Sequence, residues 1–235
     1  MVVQGMATVA VLVQCAGAPQ PAAPAPTPVA TTAPSSTAAT MPPADPAPAP
    51  ADTGVYPVSA AELGPSWRPG CPVEPEQLRR VSVDFVGFDG QPHSGELVVH
   101  EDVVAAVVAV FAELYRLGYP IDKMRTVNHY SDAADELSME DNNTSAFSCR
   151  GIPGTDRWSE HAYGRAVDVN PLVNPSVDPS GRFEPQTAGP YLDRSRSEPG
   201  MLRAGDPAVV AFTDRGWQWG GYWRAPVDYQ HFELP

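Results

Sequence analysis

An α+β fold is what the chain from Leu78 onward predicts, on three observations. Val81, Val83 and Phe85 alternate with Ser82 and Asp84, and Leu97-Val98-Val99 resumes the run after the turn signal Asp89-Gly90; that is the pattern of an antiparallel hairpin. Val103, Val107, Phe111 and Leu114 then recur at helical spacing. Strands and helices are interspersed without a repeating βαβ unit, which disfavours a doubly wound parallel sheet.

Taken in order, the strand-like stretch spans Leu78 to His100. Asp102 reads as the N-cap of the following helix, and Gly118 with Pro120 as its stop. The apolar stripe of this helix faces a core and carries no chemistry. A further strand is expected over Met124–His129, followed by a polar loop from Ser131 to Thr144, rich in Asp, Glu and Asn. Asn174 to Pro207, rich in Pro, Ser and Arg, reads as a long surface loop of the kind that can close over a site.

The rest of the chain is of another character. Its 235 residues suffice to bury a real core, but 28 prolines and 19 glycines show that part of it is not globular. A net charge of −13, with no Lys or Arg before Arg68, argues against nucleic-acid binding. No apolar run approaches the roughly 18 residues that span a bilayer, which excludes a polytopic membrane protein. Residues 1–17 contain the apolar stretch Ala7–Val13 followed by Gln14-Cys15-Ala16-Gly17, similar to the end of a bacterial lipoprotein signal with Cys15 at the acylation position. The positive n-region is missing and Gln14 is bulky for that site, so a lipid anchor and an uncleaved signal both stay open. Residues 18–58 are Pro, Ala, Thr and Ser with few large apolar side chains, a composition that makes an extended disordered spacer. The domain proper is read as 59–235, an exported monomer of the bacterial cell envelope or exterior. Export would let Cys71 and Cys149 pair, stabilising the fold by about 4 kcal/mol; the alternative is two buried free thiols.

The chemistry lies between Ser159 and His231. Ser159-Glu160-His161-Ala162-Tyr163-Gly164-Arg165-Ala166-Val167-Asp168 reads S-x-H-x-x-G-x-A-x-D, and Asp228-Tyr229-Gln230-His231 reads D-x-x-H. Ala166–Asn170 alternates as a strand, with Asp168 and Asn170 on one face and Val167 and Val169 on the other. His161 falls on the approach to that strand, and Gly164 lets the chain fold back. His161, Asp168 and His231 make a two-nitrogen, one-oxygen set suited to Zn2+ with a fourth position open to water, as a hydrolytic site requires. Asp228 is then the candidate general base, placed in a turn just before the strand of His231. Trp217, Trp219, Gly220, Gly221 and Trp223 form a cluster before Asp228; Trp217 is assigned to the core, and Trp219 is balanced between core and a substrate-facing cleft wall.

These two motifs resemble those of the zinc D-alanyl-D-alanine carboxypeptidases of peptidase family M15, including the VanY-like enzymes and the L-alanyl-D-glutamate endopeptidases. The resemblance is strongest over Trp158–Pro171 and Gly216–Glu233. It implies a small α+β domain with a central antiparallel sheet and flanking helices, shared in outline with the Hedgehog signalling domain. It implies His161, Asp168 and His231 as zinc ligands and Asp228 as the catalytic acid/base. It also implies an upstream arginine supporting the substrate carbonyl, best matched by Arg150 and next by Arg125, and a serine hydrogen-bonded near the site, Ser159. Asn143, Thr144 and Ser145 are candidates to line the cleft. The implied reaction is zinc-dependent hydrolysis of peptidoglycan stem peptides at terminal D-Ala-D-Ala. The alternatives are endopeptidase cleavage inside the stem, a non-catalytic wall-binding module on the same fold, and a hydrolase using Ser159 or Cys149 with His161.

Overall fold

The computed structural model describes residues 54–234. The signal-like segment, Cys15 and nearly all of the spacer therefore lie outside the described residues. A strand already lies ahead of Ser59: β1 (Val55–Pro57) precedes the short helix α1 (Ala60–Leu63), whose start is closed by reciprocal Ser59 and Glu62 hydrogen bonds.

The alternation seen in the sequence builds β2 (Leu78–Gly87) and β3 (Pro92–His100), antiparallel with Val81 opposite Leu97. β1 pairs antiparallel with the start of β2, and β4 (Pro120–Ile121) pairs parallel with its end. Because side chains alternate across a strand, this sheet has two apolar faces. Val81, Val83, Phe85, Leu97 and Val99 share one core with Val107, Val110, Phe111 and Leu114 of α2 (Val104–Arg116). Leu78 and Val98 share a smaller one with Val58, Leu63, Val73, Phe147 and Cys149. Cys71 and Cys149 are joined by a disulfide across 78 residues, with Cα atoms 5.8 Å apart.

Four details depart from the sequence reading. Asp102 is not the helix cap: a 3-10 turn, Glu101–Val103, leads into α2, His100 Nδ1 accepts the Asp102 N–H at 3.3 Å, and the Asp102 carboxylate pairs with Arg165. The strand expected over Met124–His129 stops at β5 (Lys123–Met124), followed by a 3-10 turn at Val127–His129. The Asn143 side chain ends the ladder by accepting from Arg125 N–H at 2.8 Å and donating to Arg125 C=O at 3.0 Å. The polar stretch 131–144 holds α3 (Asp135–Glu140), with acidic residues in its first turn as the helix dipole favours, and β6 (Asn143–Thr144), parallel to β5. The segment 174–207 is tied down by β8 (Ser176–Val177), β9 (Phe183–Glu184) and buried Asn174, Ala188, Met201 and Leu202.

A second sheet carries the motifs. β7 (Ala166–Asp168) and β12 (His231–Glu233) are antiparallel, and β10 (Gln218–Trp219) flanks β12. Before β10 lies α4 (Pro207–Thr213), which packs Ala208, Val209, Ala211 and Phe212 into the main core; the sequence reading had no helix there, although Asp206-Pro207 is a start signal. β11 (Val227–Asp228) joins β8 and β9 in a third sheet. Among the described residues no helix is long and apolar enough to cross a membrane.

Candidate metal centre

The register of the second sheet assembles the site. Val167 lies opposite Phe232 and Trp219 opposite the same Phe232, so these three share the core face. One residue along, Asp168 lies opposite His231, and Ala166 opposite Glu233. The pleat therefore places Asp168, His231 and Glu233 on the opposite face. Trp219 goes with the core: it is 2% exposed, and its indole N–H donates to Tyr229 C=O at 2.8 Å. That corrects the cleft-wall reading of Trp219, while Trp217 is in the core as expected. The half-buried tryptophan at the site is Trp223, its ring 5.3 Å from that of His231.

His161 arrives from the 3-10 turn Glu160–Tyr163. Ser159 caps this turn, its Oγ accepting the His161 N–H at 3.3 Å, so its role here is to hold the turn. Gly164 ends it at φ 68°, and a Cβ there would lie 2.6 Å from His100 N, so both conformation and space demand glycine.

The three side chains converge. His161 Nε2 lies 3.1 Å from His231 Nδ1 and 3.1 Å from Asp168 Oδ2, and His231 Nδ1 lies 3.1 Å from Asp168 Oδ1. The outer nitrogens set the tautomers. His161 Nδ1 sits 2.5 Å from Ala146 C=O, and His231 Nε2 sits 3.0 Å from the Glu233 carboxylate. Both partners only accept, so the protons of the neutral rings reside on the outer nitrogens. Two lone pairs and a carboxylate then face one another in a buried space, an arrangement able to hold a cation. Donors about 2.0–2.1 Å from a tetrahedral ion stand about 3.3 Å apart, close to the separations found, and these three residues form the buried group able to hold a metal among the described residues.

The electrostatics agree. Burial would raise the Asp168 carboxyl, but His161 and His231 more than offset it and hold it well below the usual carboxylate range. Burial would depress His231, yet without a cation its hydrogen bonds to Asp168 and Glu233 push it up to about 10, so that a proton on Nδ1 takes the place a cation would fill: the pocket is short of positive charge. Asp228 is pushed up to about 6 by burial and by the Asp168 charge, against the pull of His231, Ser176 and Arg150. Its Oδ1 is buried without a hydrogen-bond partner. Asp228 lies in β11, opposite Ser176, rather than in a turn, and Gly220 packs so closely that a Cβ would meet Asp228 C=O at 2.6 Å.

Arg150 reaches toward the same carboxylate, Nη2 to Asp168 Oδ2 at 3.7 Å, and lies 3.0 Å from Asp135. Burial works against its charge, but Asp135, Asp168, Asp228 and Glu184 more than offset that. Arg125 instead contacts His129 at 3.0 Å. Of the proposed cleft residues, Asn143, Thr144 and Ser145 are buried; Thr144 Oγ1 accepts the Asn170 N–H, and Ser145 bridges the Asp168 backbone. The sequence reading missed Glu233 and the Ala146 carbonyl. Glu233 had a signal, an acidic residue two positions beyond His231 and so on its face of a strand; a backbone carbonyl has none.

Residues 153–234 match the family model described as D-alanyl-D-alanine carboxypeptidase. No curated protein and no solved structure matches the chain. The matched span contains His161, Asp168, Asp228 and His231, and Arg150 lies three residues before it. The part of the domain that holds the convergent histidines and carboxylates is thus similar in sequence to the D-alanyl-D-alanine carboxypeptidase family.

Proposed function

We propose that the protein is a zinc metallopeptidase that hydrolyses peptidoglycan stem peptides at terminal D-Ala-D-Ala. The observation that carries this reading is the convergence of His161 Nε2, His231 Nδ1 and Asp168, mutually 3.1 Å apart with both ring protons turned outward. Zinc held there would polarise the scissile carbonyl and lower the pKa of a water to about 7. Asp228, with its unpartnered buried Oδ1, takes the proton of the attacking water and returns it to the leaving amine. Arg150 faces the charge that develops on the carbonyl oxygen. Glu233 and Ala146 keep the histidine rings turned so that their inner nitrogens would be free to hold the metal. The wall substrate implies export, with the N-terminal segment, through Cys15 or an uncleaved signal, holding the domain in the envelope.

The test is incubation of purified protein with a muropeptide pentapeptide, with and without chelator, and products identified by mass. Release of D-Ala that chelation abolishes and zinc restores is the expected result. Unchanged substrate at full zinc occupancy would overturn the reading.

A further inference from the structure

Residues 145–150 run between the candidate metal ligands and the smaller core, just ahead of the family-matched span. On one side this segment serves the site. Ser145 exchanges backbone hydrogen bonds with Asp168, donating its N–H at 3.0 Å and accepting at 2.9 Å. Ala146 C=O stands 2.5 Å from His161 Nδ1, Ser148 N–H donates to His161 C=O at 3.2 Å, and Arg150 Nη2 lies 3.7 Å from Asp168 Oδ2. Arg150 C=O also accepts, at 3.1 Å, the N–H of Ser159, the residue that caps the turn carrying His161.

On the other side the segment is anchored. Phe147 N–H donates to Val98 C=O of β3 at 3.0 Å, and Cys149 N–H donates to Ser66 C=O at 3.0 Å. Phe147 and Cys149 are 3% and 4% exposed, in the smaller core. Arg68 Nη1 donates to Cys149 C=O at 2.6 Å, and the disulfide ties Cys149 to Cys71 across 78 residues.

Ser66, Arg68 and Cys71 belong to a stretch, 64–77, through which no strand runs. No ladder of hydrogen bonds fixes that stretch, so the covalent bond is the strongest tie between it and residues 145–150. Opening the bond returns the loop freedom it removes and loosens the anchor at Cys149. Metal ligands depend on the groups that orient them. Here the group that orients His161 is the Ala146 carbonyl, a backbone atom placed only by where its segment lies.

We propose that the Cys71–Cys149 disulfide is a positioning element of the metal centre, setting through Ala146 C=O and Arg150 how well His161 and Asp168 hold the ion. The inference rests on the zinc reading and deepens it. Metal occupancy becomes linked to the oxidation of two cysteines, so the domain holds its ion fully only in a compartment that keeps disulfides formed.

Zinc affinity of the full-length chain, measured by competition with a chelator, tests the role. Cys71→Ala/Cys149→Ala, its fold checked by circular dichroism, should bind zinc about 10–100-fold more weakly than the parent. Leu114→Ala, which costs stability in the other core, should keep the parent affinity and so separates positioning from general loosening. The native chain supplies a second measurement, which stands even where the double variant fails to fold. A water-soluble phosphine and one water convert the disulfide to two thiols and the phosphine oxide, and alkylation with mass analysis reads the thiols at Cys71 and Cys149. Zinc-loaded protein should be reduced severalfold more slowly than metal-free protein, because ion and disulfide favour the same placement of 145–150 and such coupling is reciprocal. Unchanged zinc affinity in the folded double variant, an equal fall in Leu114→Ala, or equal reduction with and without zinc would each overturn the positioning role. A disulfide-dependent affinity in a protein that cleaves no stem peptide would overturn the peptidase reading alone.

Discussion

The β2–β3 sheet and the β7–β12 sheet are built on opposite principles. The first has strands of ten and nine residues, covered by α2 and held by apolar side chains alternating between two cores. The second has strands of two and three residues; one face joins the core through Val167, Phe232 and Trp219, while the other brings two bare nitrogens and a carboxylate to within 3.1 Å of one another. Burial of apolar area makes the first sheet self-sufficient, at about 1.5–3 kcal/mol for each fully buried large side chain. The second sheet's polar face presents lone pairs that a cation would offset, and on the proposed reading its order is linked to metal occupancy.

The largest expected effects fall on the polar face. His231→Ala should abolish both metal binding and turnover, whereas Asp228→Ala should retain metal while turnover drops by about 10²–10⁴-fold. Metal content and rate measured on the same samples check both. An Asp228→Ala enzyme with near-normal turnover would remove Asp228 from the mechanism.

The apolar sheet should respond in the opposite way. Leu114 is 1% exposed in the core beneath α2, so Leu114→Ala should cost about 2–5 kcal/mol of unfolding free energy. Its rate per zinc-loaded folded molecule should stay at the parent value, read from denaturant titration alongside active-site counting. A fall in that rate would show that the two sheets are mechanically coupled.

Glu233→Gln sharpens the linkage, because it keeps the side chain's shape and removes the charge that holds the His231 ring. Zinc affinity should fall by about 10–100-fold with the fold intact, measured by competition with a chelator of known affinity.

The smallest effect concerns pH away from the site. Burial works against the Asp141 charge, but Lys123, 2.9 Å away, and Tyr130 hold its carboxyl below the usual value. A carboxyl depressed in the folded state contributes stability above its unfolded pKa of about 3.9 and loses it as pH falls through the lower folded value. Lys123→Met should therefore lower stability by less than about 1 kcal/mol at neutral pH, given the exposure of the pair, and the gap to the parent should close below about pH 4. Urea titrations across that range check the sign.

What could be read in advance follows from the range of the interactions. The hairpin, α2 and the turn at Gly164 were legible because alternation, helical spacing and a required left-handed glycine are local properties of backbone and side chain. The S-x-H-x-x-G-x-A-x-D and D-x-x-H patterns singled out His161, Asp168 and His231, which the structure brings together. The strand expected at Met124–His129 was cut short by Asn143, and Asp102 was drawn from its capping role by His100 and Arg165. Such competition comes from residues distant in the chain and leaves no mark on local pattern.

The chain's own sequence determined which histidines and carboxylates stand in patterned positions, which face of β2 turns inward and where the apolar core must form, since each depends on near neighbours and on periodicity. Only the tertiary structure decided that His161 Nε2 meets His231 Nδ1, that Glu233 and a carbonyl hold those rings, and that Trp219 is buried. These are outcomes of strand register and of a disulfide joining segments 78 residues apart, and register is set by the packing of the whole domain at once.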